Sequence, residues 1–226
     1  MVTATTGKAA FNINGVTVHS LLKLPVGSRG NRDITGQNLI RLQESLDNID
    51  YIIIDEYSRL GQVTLDWIDR RLKQSSGLQD KLFGDKSVLL CGDPGQLPPV
   101  ADKPLYHTIP TNAIGEQGYL TYKMFDNVVK LDVNQRVQGH SPEQTRFREL
   151  LLRLRKGKST VDDWKLLLTR QPSNVDNLPE FKDATRLFYS NEDVGNYNHE
   201  KLIKLQQPVA QITARHSSAT AKKISA

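Results

Sequence analysis

Cysteine is nearly absent from this 226-residue chain; Cys91 is the only one. A single thiol excludes an internal disulfide framework and points to a reducing compartment. Long apolar runs are missing as well. The longest strongly apolar run, Tyr51–Ile54, is far short of the ~20 residues that cross a bilayer as a helix. The N-terminus has neither the basic region nor the apolar stretch of a secretory signal. There is no internal repeat and no low-complexity tract. The expectation is an intracellular chain without a membrane partner, and its 38% hydrophobic residues are enough to build the core of one large domain or two modest ones.

A phosphate-binding loop is also lacking, although one stretch imitates it. In VTATTGKAAFNINGVTVHSLL (Val2–Leu22), Gly7-Lys8 follows a β-like run and precedes a helix-like one. The loop pattern G-x-x-x-x-G-K-[ST] needs a glycine five residues before the Gly-Lys and a hydroxyl after it. Val2 and Ala9 stand there instead. The first turn glycine and the Mg²⁺-binding hydroxyl are therefore both absent from this turn.

Charge of one sign is scarce in the first part. Residues 1–134 hold 14 Lys and Arg against 15 Asp and Glu, while residues 135–226 hold 16 against 10. The whole basic excess, a net +5 for the chain, thus lies in the second part. It suits either a phosphate backbone or a solvated helix face. This shift places a candidate domain change near Asn134–Arg136.

Short β-branched runs at Val2–Thr5, Tyr51–Asp55, Ser87–Cys91, Val128–Val133, Arg186–Tyr189 and Val209–Thr213 predict strands. Leu65, Ile68 and Leu72 share a helical face, as do Phe147, Leu150, Leu151 and Leu154. Ser159 opens a capping signature, and Ser190 or Asn191 can cap a helix running to Leu205. Gly27–Asn31, Ala101–Gly118 and Gln171–Pro179 read as loops. Strands alternating with helices predict an α/β fold with a mostly parallel sheet.

Two strand ends carry chemistry. Tyr51-Ile52-Ile53-Ile54 runs into Asp55-Glu56. Ligands of open α/β sheets gather at the carboxyl ends of strands. There an Asp can hold Mg²⁺ and a Glu can polarise water; the pair equally marks a strand leaving for solvent. Val88–Cys91 runs into Gly92-Asp93-Pro94-Gly95-Gln96-Leu97-Pro98-Pro99-Val100. Its prolines stiffen the backbone around Gln96, whose amide can both accept from water and donate to phosphate; the run equally reads as a proline-rich surface turn.

IIIDE, GDPGQLPPV and LDVNQR (Leu131–Arg136), in that order, resemble the motif series of the PIF-type helicases. These are superfamily 1 DNA helicases named for petite integration frequency and similar to RecD. The opening VTATTGKAA…VTVHSLL resembles that family's segment after its phosphate loop. Phe147–Leu167 and Arg186–Leu202 resemble parts of its second RecA-like domain. The resemblance implies an ATP-driven 5′-to-3′ DNA motor, with part of a first RecA-like domain at 1–134 and part of a second at 135–226. It implies Mg²⁺ and ATP as cofactors of the complete protein, and single-stranded DNA or DNA forks as partners. The residues leave the oligomeric state open, with a monomer expected; the expected location is intracellular, in the nucleus or mitochondrion if the source is eukaryotic.

Carried onto this chain, the resemblance makes Asp55 the Mg²⁺ ligand and Glu56 the activator of water. Gln96 becomes the γ-phosphate sensor and Arg136 an arginine finger, with Gly92 and Asp93 also at the nucleotide. Thr6, Gly7, Lys8, His19, Ser20 and Pro98 would lie along DNA, though Lys8 reads equally as a solvated cation. Arg215, Lys222 and Lys223 read either as DNA contacts or as part of a frayed end. Two positions depart from the family. Thr5 replaces a usual Pro, which should loosen the turn, and Arg59 replaces a usual Met and needs a partner if it points inward. Without the phosphate loop, the chain is expected to hydrolyse ATP weakly or not at all. The alternative to an ATP-dependent helicase is a non-catalytic protein that binds single-stranded DNA or a partner.

Overall fold

The computed structural model describes residues 1–25, 33–133, 135, 139, 141–174, 184–210 and 212. In chain order the elements are β1 (Val2–Ala4), α1 (Gly7–Asn12), β2 (Val16–Thr17), α2 (Val18–Leu22), α3 (Gln37–Leu46), β3 (Tyr51–Asp55) and α4 (Gln62–Ser76). β4 (Ser87–Leu90), α5 (Ala113–Lys123), α6 (Pro142–Arg155), α7 (Val161–Leu168) and α8 (Asn191–Lys204) follow. Short 3₁₀ turns lie at Tyr57–Arg59, Leu82–Asp85 and Pro172–Asn174. The chain divides into two compact units, Met1–Leu151 and Leu152–Ala226.

The first unit holds a four-stranded sheet in the order β2-β1-β3-β4, with every pair parallel. Residues opposite each other on a ladder share a face. Thr3, Ile54 and Leu90 thus lie on one side, and Val2, Ile53 and Leu89 on the other. The first side is dry: Ile52 and Ile54 are fully buried against Val18, Leu22, Leu42, Leu46, Leu65, Ile68 and Leu72. On the second side Tyr51 and Leu89 remain 61% and 44% exposed. The continuous apolar run of β3 therefore has one fully buried face rather than two.

α4 forms because Leu65, Ile68 and Leu72 recur at helical spacing. All three are fully buried, at about 1.5–3 kcal/mol of transfer free energy each. Gly77 ends the helix in the left-handed conformation (φ 77°), its N–H returning to Lys73 O. The first part of α5, Ala113–Gly118, was hidden in the predicted loop Ala101–Gly118. Asn112 caps it by accepting from Gly115 N at 2.9 Å. Gly118 serves packing: a Cβ there would lie 1.8 Å from Gln62 O of α4, whereas one on Gly115 would meet nothing closer than 3.6 Å. A loop-like composition here marks close helix approach.

Val128–Val133 is not a strand. Val128 and Leu131 are 86% and 90% exposed, and no described strand lies beside them to complete a ladder. Arg186–Tyr189 is irregular for the same reason. Apolar alternation supplies propensity, but a strand also needs a hydrogen-bonded neighbour. Of Val209–Thr213, the described residues form no strand; the rest lie outside the described residues. So do the Gly27–Asn31 loop, 175–179 of the Gln171–Pro179 break, Arg136, Arg215, Lys222 and Lys223.

In the second unit Thr160, one residue after the expected Ser159, caps α7. It forms a capping box with Asp163. Arg153 grips the same carboxylate through Nε and Nη2, at 2.8 and 2.6 Å. Ser190 caps α8. In α6 Leu150 is buried, whereas Phe147, Leu151 and Leu154 stay open.

Candidate functional site

Parallel pairing brings four strand ends to one edge. Ala4 lies beside both Thr17 and Asp55, and Ile54 lies beside Leu90. The segments leaving that edge are Thr5–Lys8, Val18–Ser20, Asp55–Tyr57 and Cys91–Gln96. Every predicted site residue among the described ones sits in these segments or, for Pro98, two residues beyond.

Backbone bonds lock the central pair of exits. Cys91 N donates to Ile54 O at 2.9 Å, and Tyr57 N donates to Cys91 O at 3.1 Å. Asp55 Oδ1 accepts from Glu56 N at 2.9 Å. Glu56 is left-handed (φ 55°, ψ 42°), a conformation that costs a non-glycine residue of order 1–3 kcal/mol and recurs at functional sites. Gly92 faces it with φ 142°, and a Cβ there would meet Tyr57 N at 3.0 Å and Glu56 Cα at 3.3 Å. The two exits can approach this closely only because residue 92 has no side chain. Burial, reinforced by Tyr122 and Asp93, pushes the Tyr57 phenol up, so it stays neutral beside the acidic pair.

Thr5 corrects one expectation. Its N–H donates to Asp55 O at 3.2 Å and its hydroxyl to Glu56 O at 2.9 Å. A proline could make neither bond, so Thr5 tightens the turn onto the acidic exit. Arg59 is exposed and needs no buried partner.

Asp93 Oδ1 accepts from Gly95 N at 2.9 Å, and Gln96 N donates to Asp93 O at 3.0 Å. This turn holds Gln96 and Pro98 out in solvent. Its far side is anchored by a residue with no signature in the sequence. Asp102 accepts from Val63 N (3.2 Å), Thr64 N (3.1 Å) and Thr64 Oγ1 (3.2 Å), capping α4 from 39 positions away. Only the long-range fold could reveal that role.

At the other end of the edge, Thr6 caps α1 by accepting from Ala9 N, and Thr17 caps α2 by accepting from Ser20 N, each at 3.3 Å. The Thr17 hydroxyl donates to Ser20 Oγ at 2.8 Å. Thr17 was missed, although a hydroxyl opening T-V-H-S is a readable cap. Gly7 is exposed, and a Cβ there would meet nothing within 4 Å. Lys8 is exposed, with Nζ 5.3 Å from the centroid of the Phe11 ring. Burial pulls His19 below its usual 6.5, so it offers a neutral N–H rather than a charge at pH 7. Arg136 lies outside the described residues.

Among the described residues, no cluster of three or more His, Cys, Asp or Glu side chains is placed to hold a metal. Asp55 engages one carboxylate oxygen with Glu56 N. Its other oxygen suits Mg²⁺, which commonly takes one or two carboxylates and completes its shell with water and substrate phosphates. No described helix is long and apolar enough to cross a membrane.

Residues 1–164 match the family model described as PIF1-like helicase. The ATP-dependent DNA helicase Pif1 of Campylobacter jejuni is 31% identical over 222 residues, covering 92% of this chain and 45% of the relative. A crystal structure of Pif1 helicase from Bacteroides in complex with ADP-AlF3 and ssDNA superposes with a TM-score of 0.60 at 26% identity, over 93% of this chain and 48% of that one. Pif1 helicase from Candida albicans shares the fold, with a TM-score of 0.68 at 22% identity over 99% of this chain and 50% of that one. The chain spans less than half the length of the Campylobacter relative and of other curated relatives it matches. The motif order, the parallel sheet and the match over residues 1–164 together identify the chain as a member of the PIF1-like helicase family.

Proposed function

We propose that the carboxyl edge of the sheet is the nucleotide- and DNA-handling face of an ATP-dependent, 5′-to-3′ DNA helicase. One observation carries this reading: the parallel register gathers Thr6, Asp55, Glu56, Gly92, Asp93 and Gln96 at a single edge, although they are spread over 91 positions. Asp55 would hold Mg²⁺, and the bound ion would neutralise charge on the phosphates. Glu56 orients and deprotonates the attacking water, from a backbone position fixed by Thr5, Asp55 and Gly92. Gly92 and Asp93 line the nucleotide, and Gln96 senses the γ-phosphate from the stiff 93–99 turn. Arg136 is the proposed arginine finger. The backbone of Thr6 and Gly7, Lys8, the Ser20 hydroxyl, neutral His19 and Pro98 contact a single strand along its phosphates. The domain division we favour is 1–134 and 135–226, each RecA-like in part. Single strands and forks are the substrates, and the chain acts as a monomer in the nucleus or mitochondrion if eukaryotic.

The test is single-stranded DNA binding by fluorescence anisotropy across a salt series. Log K should fall with log salt by about 0.7 per phosphate contacted. Absence of binding at low salt refutes the reading. In a chain spanning the relatives' full length, DNA-stimulated ATP turnover should vanish in E56Q, and persistence of turnover would remove Glu56 from its role.

A further inference from the structure

We infer that Phe11, with Lys8, forms a nucleobase-stacking platform that extends the proposed DNA face beyond the β1–α1 turn; this rests on the DNA-binding reading above. Phe11 lies on α1 one turn beyond Lys8. The residue is 75% exposed even though the Lys8 ammonium lies 5.3 Å from the ring centroid. Burial does not explain the residue, since the apolar anchor of α1 is its neighbour Ala10, which is 3% exposed. An aromatic face beside a cation is the pairing that single-strand binders use, the ring taking a base and the cation a backbone phosphate.

The position suits that use. Phe11 is four residues along the helix from Gly7, about 6 Å at 1.5 Å per residue. A strand whose phosphate pairs with Lys8 can therefore lay a base of the same or adjacent nucleotide on the ring. Stacking is indifferent to base identity because every base has a π-face, as a translocating motor requires. The platform also separates two contributions to binding: Lys8 carries salt dependence, and Phe11 carries affinity that salt leaves largely intact.

The experiment compares wild type, F11A, F11W and K8A on a poly-pyrimidine oligonucleotide and on an abasic oligonucleotide of equal length. F11A should bind the base-bearing strand roughly 5- to 150-fold more weakly, with an unchanged salt slope and an unchanged melting curve. F11W should restore binding. K8A should lower the salt slope. On the abasic strand, wild type and F11A should coincide. F11A binding the base-bearing strand like wild type, or losing equally on both strands, overturns the platform and leaves the DNA-binding reading standing. Failure of wild type to bind the base-bearing strand overturns both.

Discussion

Removing the Asp102 carboxylate should loosen both α4 and the turn that carries Gln96. α4 begins at Gln62 with Gly61 at its cap position, which offers no side-chain acceptor. Asp102 supplies that acceptor to Val63 N, Thr64 N and Thr64 Oγ1, and its Oδ1 also accepts from Lys103 N at 2.8 Å. Loss of a side-chain cap costs ~1 kcal/mol, within 0.5–2. Loss of a negative charge at a helix N-terminus costs a further 0.3–1 kcal/mol or so. The unmet Thr64 hydroxyl adds about 0.5–1 kcal/mol, limited because water reaches this partly buried site. D102A should therefore lower unfolding free energy by roughly 2–3 kcal/mol, and D102N, which keeps an acceptor, by about 1 kcal/mol.

Urea unfolding followed by Trp67 fluorescence in a W164F background reads this directly, because Trp67 sits on α4 and is only 6% exposed. A second substitution checks the geometry. A Cβ on Gly61 would fall 2.1 Å from Asp102 Cγ, whereas its backbone (φ −99°, ψ 168°) admits any residue. G61A should destabilise wild type yet cost almost nothing in a D102G background, a coupling of at least ~1 kcal/mol. Strict additivity of G61A and D102G, or a D102A effect below about 0.5 kcal/mol, would refute the cap and with it the anchoring of the 93–99 turn.

Two further outcomes are expected. Because Glu56 is left-handed, E56G should raise unfolding free energy by about 1 kcal/mol, whereas E56A should not; equal destabilisation by both in the same urea assay would show that no strain resides there. Asp163 is held below the usual carboxylate value by its bond to Arg153 and then by Thr160. A depressed folded pKa gives stability that is complete above the unfolded value of about 3.8 and is lost as pH falls through the folded value. D163N should thus be less stable than wild type at pH 7, with the gap closing steadily below about pH 4; a gap independent of pH, read by the neighbouring Trp164, would contradict the pairing.

The legible parts of this protein were those governed by neighbours in sequence. The apolar run Tyr51–Ile54 with its acidic exit, the Leu65–Ile68–Leu72 face and the Ser190 cap all depend on contacts within a few residues. Each stands in the structure where the pattern placed it. The failures were positions whose state depends on distant groups. Val128–Val133 has strand propensity and no ladder partner among the described residues. Gly115 and Gly118 read as loop formers until α4 is packed against them. Thr5 read as a loosening substitution because its two carbonyl acceptors belong to residues 50 and 51 positions away.

The sequence by itself determined the family and the residues that stand at each strand end, because motif order and residue type are carried by the chain without reference to its path. Tertiary structure alone decided that those ends meet. The order β2-β1-β3-β4 is set by hydrogen bonds between segments whose paired residues lie as much as 51 positions apart. Only that pairing brings Thr5 onto the acidic exit, Gly92 against Glu56, and Asp102 onto a helix that cannot cap itself.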